Sequence, residues 1–398
     1  MNIPRSIAPI VMRMARGFPV VAVTGPRQSG KTTLVRQLFA NRPYQSLEPL
    51  DIREFAEADP RGFLGRFRAE GVVLDEIQQA PGLFSYLQEM VDQDPTPGKF
   101  ILTGSHQFGL LSGITQSLAG RVGMVELLPF SMAERWGDDP PGRWEDVAFT
   151  GLYPPVHSRP VEPYDWHASY VRTYVERDVR QLTRIQDLPA FLKFTRLCAG
   201  RIGQLLNLSA LGAEAGISHN TAKAWLDTLA TSYLVFLVQP HHRNFSKRLV
   251  KTPKLYFHDT GLASWLLGVQ HAAQWETHPL RGALFENLII SEMWKARAHS
   301  GKAMNIHFWR DHAGHEVDVL LDQAGTLVPV EIKSGETVRS DWLGDLEHFQ
   351  AIAGDAAERP RLVYGGGDAG VRKGVEILSW RNVQALTRLA TGDQASAG

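Results

Sequence analysis

Eight consecutive residues limit this chain more than any others: Gly25-Pro26-Arg27-Gln28-Ser29-Gly30-Lys31-Thr32. They fit the pattern G-x-x-x-x-G-K-[ST], and their flanks fit it too. Val20, Val21, Ala22 and Val23 form a short apolar run that suits a strand buried on both faces. Leu34, Val35 and Leu38 then fall at helical spacing, with a stop expected near Asn41-Arg42-Pro43. A strand, a loop bounded by glycines and a helix are therefore predicted in that order. Gly25 and Gly30 let the backbone turn tightly and approach a ligand without a Cβ in the way. The loop N–H groups and the helix N-terminus then form an anion cradle. Lys31 is expected to reach the β- and γ-phosphates, and the Thr32 hydroxyl to take a position on Mg²⁺. The expected nucleotide contacts run from Gly25 through Pro26, Arg27, Gln28, Ser29, Gly30, Lys31 and Thr32 to Thr33.

Two further strand ends extend this reading. Gly71-Val72-Val73-Leu74-Asp75-Glu76 reads as a buried strand ending in two acids. Asp75 is expected to hold Mg²⁺ and Glu76 to polarise the attacking water. Phe100-Ile101-Leu102-Thr103-Gly104-Ser105 is another apolar strand, whose Thr103 or Ser105 would sense the γ-phosphate. Arg121 follows a helix and precedes a strand at 122–128; it reads as an arginine finger, in cis or toward a neighbouring subunit, or as a surface arginine. Four or five strands alternating with helices predict a parallel sheet covered on both faces, with the ligand at the carboxyl ends of the strands.

These residues, with Leu74-Asp75-Glu76-Ile77-Gln78, Ser117-Leu118-Ala119-Gly120-Arg121 and Tyr174-Val175-Glu176-Arg177-Asp178, resemble a group of bacterial and archaeal AAA-type ATPases. In that group the P-loop domain precedes a C-terminal domain of unknown function. The resemblance runs from about residue 15 to 340 and implies ATP and Mg²⁺ as cofactors. No residue pattern separates ATP from GTP.

Lys+Arg and Asp+Glu balance at 42 each, so any nucleic-acid contact has to come from a local patch. The single cysteine, Cys198, excludes an intramolecular disulfide framework and fits a reducing cytosol. Its apolar neighbours Leu197 and Ala199 point to packing. No targeting segment stands out, and the longest apolar run, 233–238, is far short of a membrane span. A cytoplasmic protein is expected.

Residues 136–163 read as an irregular connector and 164–181 as a long charged helix. Residues 208–229 show two apolar helices hinged at Gly216, with Ser209 and Ser218 as caps. His219, Asn220, Lys223 and Asp227 would form a recognition face. Strands at 233–238 and 254–257, joined by a loop bearing Arg243, Lys247, Arg248 and Lys251, would complete a winged helix. Double-stranded DNA is the expected partner; a packing or protein-binding role is the plainer one.

In the last third, 281–292 reads as a helix carrying Glu286, and 315–322 with 326–334 as a β-hairpin. Val317, Val319, Leu321, Val328, Val330 and Ile332 line its apolar face; Glu316, Asp318, Glu331 and Lys333 lie opposite. With a loop at 323–326, Asp318 faces Glu331 and Glu316 faces Lys333. Facing carboxylates repel unless a cation sits between them, so Asp318 and Glu331 form a candidate Mg²⁺ or Mn²⁺ site. Lys333 would orient or activate water, or steady the developing charge on phosphorus, and Glu286 would supply a third oxygen. Asp318, Glu331 and Lys333, after the helix bearing Glu286, resemble the PD-(D/E)xK nuclease fold, with Val317 where that family often has proline. A solvent-exposed hairpin face with a Glu316–Lys333 ion pair is the plainer alternative.

The expected architecture is α/β: a P-loop NTPase parallel sheet with helices on both faces (1–163), a helical and winged-helix domain (164–275), a restriction-endonuclease-like α/β domain (276–390) and a disordered tail (391–398). The expected function is Mg-dependent ATP hydrolysis coupled to nucleic-acid binding, with metal-dependent DNA cleavage by the C-terminal domain. The alternative is an ATP-driven switch on protein partners whose C-terminal domain is a silent docking surface. A homo-oligomer is a candidate assembly, and the sequence does not give the oligomeric state.

Overall fold

The computed structural model describes residues 3–104, 114, 117–140, 142–173, 185, 187–241 and 250–392. Ser105, the Tyr174-Val175-Glu176-Arg177-Asp178 segment, and Arg243, Lys247 and Arg248 lie outside the described residues. Two units are present. The first comprises Met1–Pro129 with Thr231–Tyr233 and Ala298–Gly301; the second holds the rest.

In the first unit, β1 (Val20–Thr24), β2 (Tyr44–Ser46), β3 (Val72–Asp75), β4 (Phe100–Thr103) and β5 (Val122–Glu126) form one sheet in the order β2-β3-β4-β1-β5. Every pairing is parallel. The period of two divides the core between the faces. Val20, Ala22, Leu74 and Leu102 pack with Phe63, Leu64, Phe84 and Leu87 on one side. Val21, Val23, Val73 and Ile101 pack with Val11, Leu34 and Val35 on the other. Each fully buried aliphatic side chain contributes about 1.5–3 kcal/mol, which explains why β1 is apolar at successive positions.

The second unit is organised on an eight-stranded sheet. Its strands are β6 (Val235–Pro240), β7 (Lys254–Phe257), β8 (Ile306–Arg310), β9 (Glu316–Gln323), β10 (Thr326–Lys333), β11 (Arg361–Tyr364), β12 (Gly370–Arg372) and β13 (Val375–Ser379), in the order β12-β13-β11-β10-β9-β8-β6-β7. The helices Leu208–Ala215 and His219–Thr231 flank Gly216, which takes φ +81° at the turn. Leu211, Ala215, Ala222, Trp225, Leu226 and Leu229 are buried, and His219, Asn220, Lys223 and Asp227 are exposed.

Several details differ from the sequence reading. The first helix is capped by Asn207, whose side chain accepts from Ala210 N–H at 3.0 Å, not by Ser209. The connector at 136–163 contains the helices Trp144–Thr150 and Pro154–Ser158. The strands expected to form a wing, β6 and β7, are the edge of the large sheet. Gln239 and Pro240 pair in parallel with His307 and Phe308 of β8, because β6 continues past its hairpin with β7. A boundary at 275/276 would therefore divide one sheet, and the unit begins at Phe130 rather than at 164.

Candidate functional site

In the first unit the loop after β1 sits at the carboxyl end of the sheet. Gly25 adopts φ +137°, and a Cβ there would lie 2.1 Å from the Leu127 carbonyl oxygen, so only glycine fits. Gly30, at φ +96°, is the N-cap of the helix Lys31–Leu38. Lys31 is buried, and its Nζ donates to the carbonyls of Gly25 (3.0 Å) and Pro26 (2.8 Å). Burial pulls the Lys31 pKa down to about 8, against the opposing pull of Glu76 and Asp75. An arriving phosphate would hold this ammonium charged. The buried Ser29 hydroxyl has no hydrogen-bond partner among the described residues. Thr33 is exposed.

Asp75 ends β3, and three hydroxyl groups converge on it. Thr32 Oγ1 donates to Oδ2 at 2.9 Å, Tyr44 OH to the same oxygen at 2.5 Å, and Thr103 Oγ1 to Oδ1. This donor set fits Mg²⁺, which favours oxygen ligands: Thr32 and Asp75 already lie at contact distance from each other, and both are expected ligands. Glu76 takes φ +56°, in the left-handed region that non-glycine residues seldom adopt. Gln78 Nε2 donates to its Oε2.

Tyr44 and Arg5 are functional neighbours that sequence reasoning missed. The guanidinium of Arg5 donates to Ser29 O (2.7 Å) and Leu128 O (2.7 Å), tying the end of the loop to the segment after β5. For Tyr44 the available signal was its place in β2, since Ser46 pairs with Asp75.

Arg121 is placed elsewhere. Its carbonyl accepts from Val20 N–H, so it lies at the amino ends of β1 and β5, whereas the loop follows their carboxyl ends. Its guanidinium holds Asp92 at 2.6 and 3.1 Å. A finger acting on the phosphates of its own subunit is thereby corrected: the parallel sheet puts Arg121 at the opposite end.

The second unit gathers a buried acidic cluster. Asp318 is 7% exposed and Glu331 3%, which removes the solvent-exposed hairpin. The hairpin register is the expected one from Thr326–Gln323 to Val330–Val319. There the pairing stops, and Asp318 Oδ2 accepts Ile332 N–H at 2.8 Å. Lys333 contacts Glu331 and lies 3.6 Å from Asp318 Oδ2. The expected Glu316–Lys333 pair is not formed. Glu316 instead pairs with Arg310 (2.9 Å) and with Lys254.

Lys254, on β7, was not anticipated. It is 2% exposed and sends its Nζ to Glu286 Oε1 (3.3 Å), to Glu316 and toward Asp318 Oδ1 (4.0 Å). Tyr256 OH donates to Glu286 Oε1 at 2.5 Å. Burial pushes the Glu286 carboxyl up to about 7, even though Lys254 pulls it down. Burial and then the nearby Asp318 charge raise Glu331 well above the usual carboxylate range. Glu331 Oε2 is buried without a hydrogen-bond partner among the described residues. Glu331 Oε2, beside Asp318, thus has the free acceptor capacity that a hard divalent cation would use. On Glu286, Oε1 is already engaged by Lys254 and Tyr256.

Comparison with known proteins bears on both units. Residues 17–136 match an AAA domain, 142–273 a domain of unknown function (DUF8612) and 281–383 another (DUF4143). The chain is 31% identical over 339 residues to the uncharacterized proteins Rv2008c of Mycobacterium tuberculosis and Mb2031c of Mycobacterium bovis. Those alignments cover 84% of this chain and 74% of each relative. Among solved structures it is similar to the Walker-type ATPase PABY2304 of Pyrococcus abyssi at 15% identity and a TM-score of 0.41, over 65% of this chain and 94% of that one. It is also similar to RuvB of Thermotoga maritima at 16% identity and a TM-score of 0.27, over 60% and 90%. No helix among the described residues is long and apolar enough to cross a membrane.

Proposed function

The chain belongs to the family of the uncharacterized mycobacterial proteins Rv2008c and Mb2031c and carries an AAA-type P-loop ATPase domain; from that premise we propose that it hydrolyses ATP with Mg²⁺ in its first unit. The observation that carries this reading is the contact of Thr32 Oγ1 with Asp75 Oδ2, beside a buried lysine and a glycine-bounded loop. Mg²⁺ held there would withdraw charge from the β- and γ-phosphates. Lys31 exchanges the Gly25 and Pro26 carbonyls for phosphate oxygens. Glu76 orients the attacking water and accepts its proton. Lys31→Ala should abolish phosphate release. Glu76→Gln should bind ATP but slow turnover on the order of 10²-fold or more. Wild-type hydrolysis by both variants would overturn the assignment.

A second reading concerns the acidic cluster. Glu331 Oε2, unpartnered among the described residues and beside Asp318, favours cation-dependent action on phosphodiesters, with Lys333 steadying the developing negative charge. Exposed His219, Asn220, Lys223 and Asp227 on the helix pair are the candidate DNA contacts. The purified protein with Mn²⁺ and ATP would be tested on supercoiled plasmid, with Lys333→Ala and Asp318→Asn alongside. Nicking that both substitutions abolish supports the reading. No nicking under any nucleotide condition leaves an ATP-driven switch with a silent docking domain.

A further inference from the structure

A second cluster in the same unit lies outside both sites above. Asp311 and His315 close the turn between β8 and β9, and His348 projects from the helix Gly344–Ala353. Asp311, His315 and His348 each offer one ligand atom, all within 4.8 Å of one another. We propose that Asp311, His315 and His348 form a binding site for a borderline divalent metal of the zinc class.

The hydrogen bonds around the cluster divide its atoms between holding and binding. Asp311 Oδ1 accepts His315 N–H at 3.0 Å, which fixes the turn, and Oδ2 points to His348 Nε2 across 3.7 Å. That gap is too long for a hydrogen bond. It is close to the separation of two atoms on one tetrahedral zinc ion, about 3.3–3.5 Å for bonds of about 2.0–2.2 Å. His315 Nδ1 lies 2.9 Å from Asp345 Oδ1. A carboxylate on Nδ1 keeps the proton there and leaves the Nε2 lone pair free, the usual second-layer support of a metal-bound histidine. Asp345 and His348 are three residues apart on one helix, so both the support and a ligand come from the same turn.

The two imidazoles are stacked with centroids 3.9 Å apart and planes at 27°. Two nitrogens and one carboxylate oxygen select zinc, nickel or cobalt over Mg²⁺ and Ca²⁺, which prefer all-oxygen sets. The His315 and His348 side chains are 43% and 37% exposed, which leaves a fourth position open to water or to a ligand from outside.

The test uses untagged full-length protein stripped with EDTA and dialysed against excess Mg²⁺. Zn²⁺ binding is followed by calorimetry, and Co²⁺ by its visible absorption. One ion per chain is expected, with the intense bands of a four-coordinate site. His315→Ala and His348→Ala should each remove it. Asp345→Asn, which touches no metal, should weaken Zn²⁺ by about 10-fold or more. Tryptophan fluorescence and ATP hydrolysis check that each variant is folded. No Zn²⁺ bound above background, or Zn²⁺ bound equally by wild type and the His315→Ala/His348→Ala double variant, would overturn the proposal.

Discussion

Replacing Lys254 by methionine should destabilise the second unit in a way that grows with pH. The ammonium faces Glu286 at 3.3 Å and Asp318 at 4.0 Å and also contacts Glu316. At an effective dielectric of about 20, these two distances give gross attractions of about 5 and about 4 kcal/mol, most of it offset by desolvation. Removing one partner of such a buried group costs about 3–5 kcal/mol net, because the other charges are left behind. The pH dependence comes from Glu286. With Lys254 present its folded pKa is about 7, above that of an unfolded glutamate. Between about 4.3 and 7 the folded state holds a proton that the unfolded chain has released, so stability falls with rising pH; above 7 the slope from this group ends. Without Lys254 the carboxyl stays protonated to higher pH, and the slope continues at about 1.4 kcal/mol per pH unit. The gap between wild type and Lys254→Met should therefore be flat below pH 7 and widen above it, by at most about 1.4 kcal/mol per pH unit. All ten tryptophans, Trp136 to Trp380, lie in the second unit, so intrinsic fluorescence in urea reports on that unit alone. A gap below about 1 kcal/mol, or one that narrows as pH rises, would refute the counter-ion role of Lys254.

Three further outcomes are expected. Gly25→Ala should weaken fluorescent ATP-analogue binding by about 10-fold or more, since the new methyl meets the Leu127 carbonyl at a φ that alanine avoids; unchanged affinity would mean that the loop shifts freely. Arg121→Ala should leave turnover in dilute solution close to wild type, because the residue is engaged by Asp92 at the far ends of the strands; a large loss confined to concentrated protein would assign it to a neighbouring subunit. Burial pushes the Cys198 thiol up to about 12, so at pH 8 it should resist Ellman's reagent until the chain is unfolded; complete labelling of native protein within minutes would contradict the buried position.

What the sequence made legible was local. The loop around Lys31 announced itself because a helix-capping glycine, a lysine and a hydroxyl must follow a buried strand in fixed order. The hairpin β9–β10 was legible because a short loop sets the register of everything behind it. What stayed hidden was set by pairing across long stretches of chain. Lys254 reads as the basic end of a wing strand until β7 is seen beside the helix that carries Glu286. Tyr44 reads as a strand residue until β2 is placed next to β3. The position of Arg121 was recoverable: a residue that precedes a parallel strand lies at the opposite end from a loop that follows one. The helices within 136–163 were obscured by their prolines and glycines, which sit at starts and stops rather than in interiors.

The parallel seam between β6 and β8 has a consequence for heredity. Two stretches that match separate families, 142–273 and 281–383, contribute strands to one ladder. A gene fragment that begins at the second stretch would leave β8 with a bare, apolar margin open to foreign strands, and its acids without their lysine. Recombination could not trade either stretch alone, so these two segments should travel through genomes as an inseparable couple.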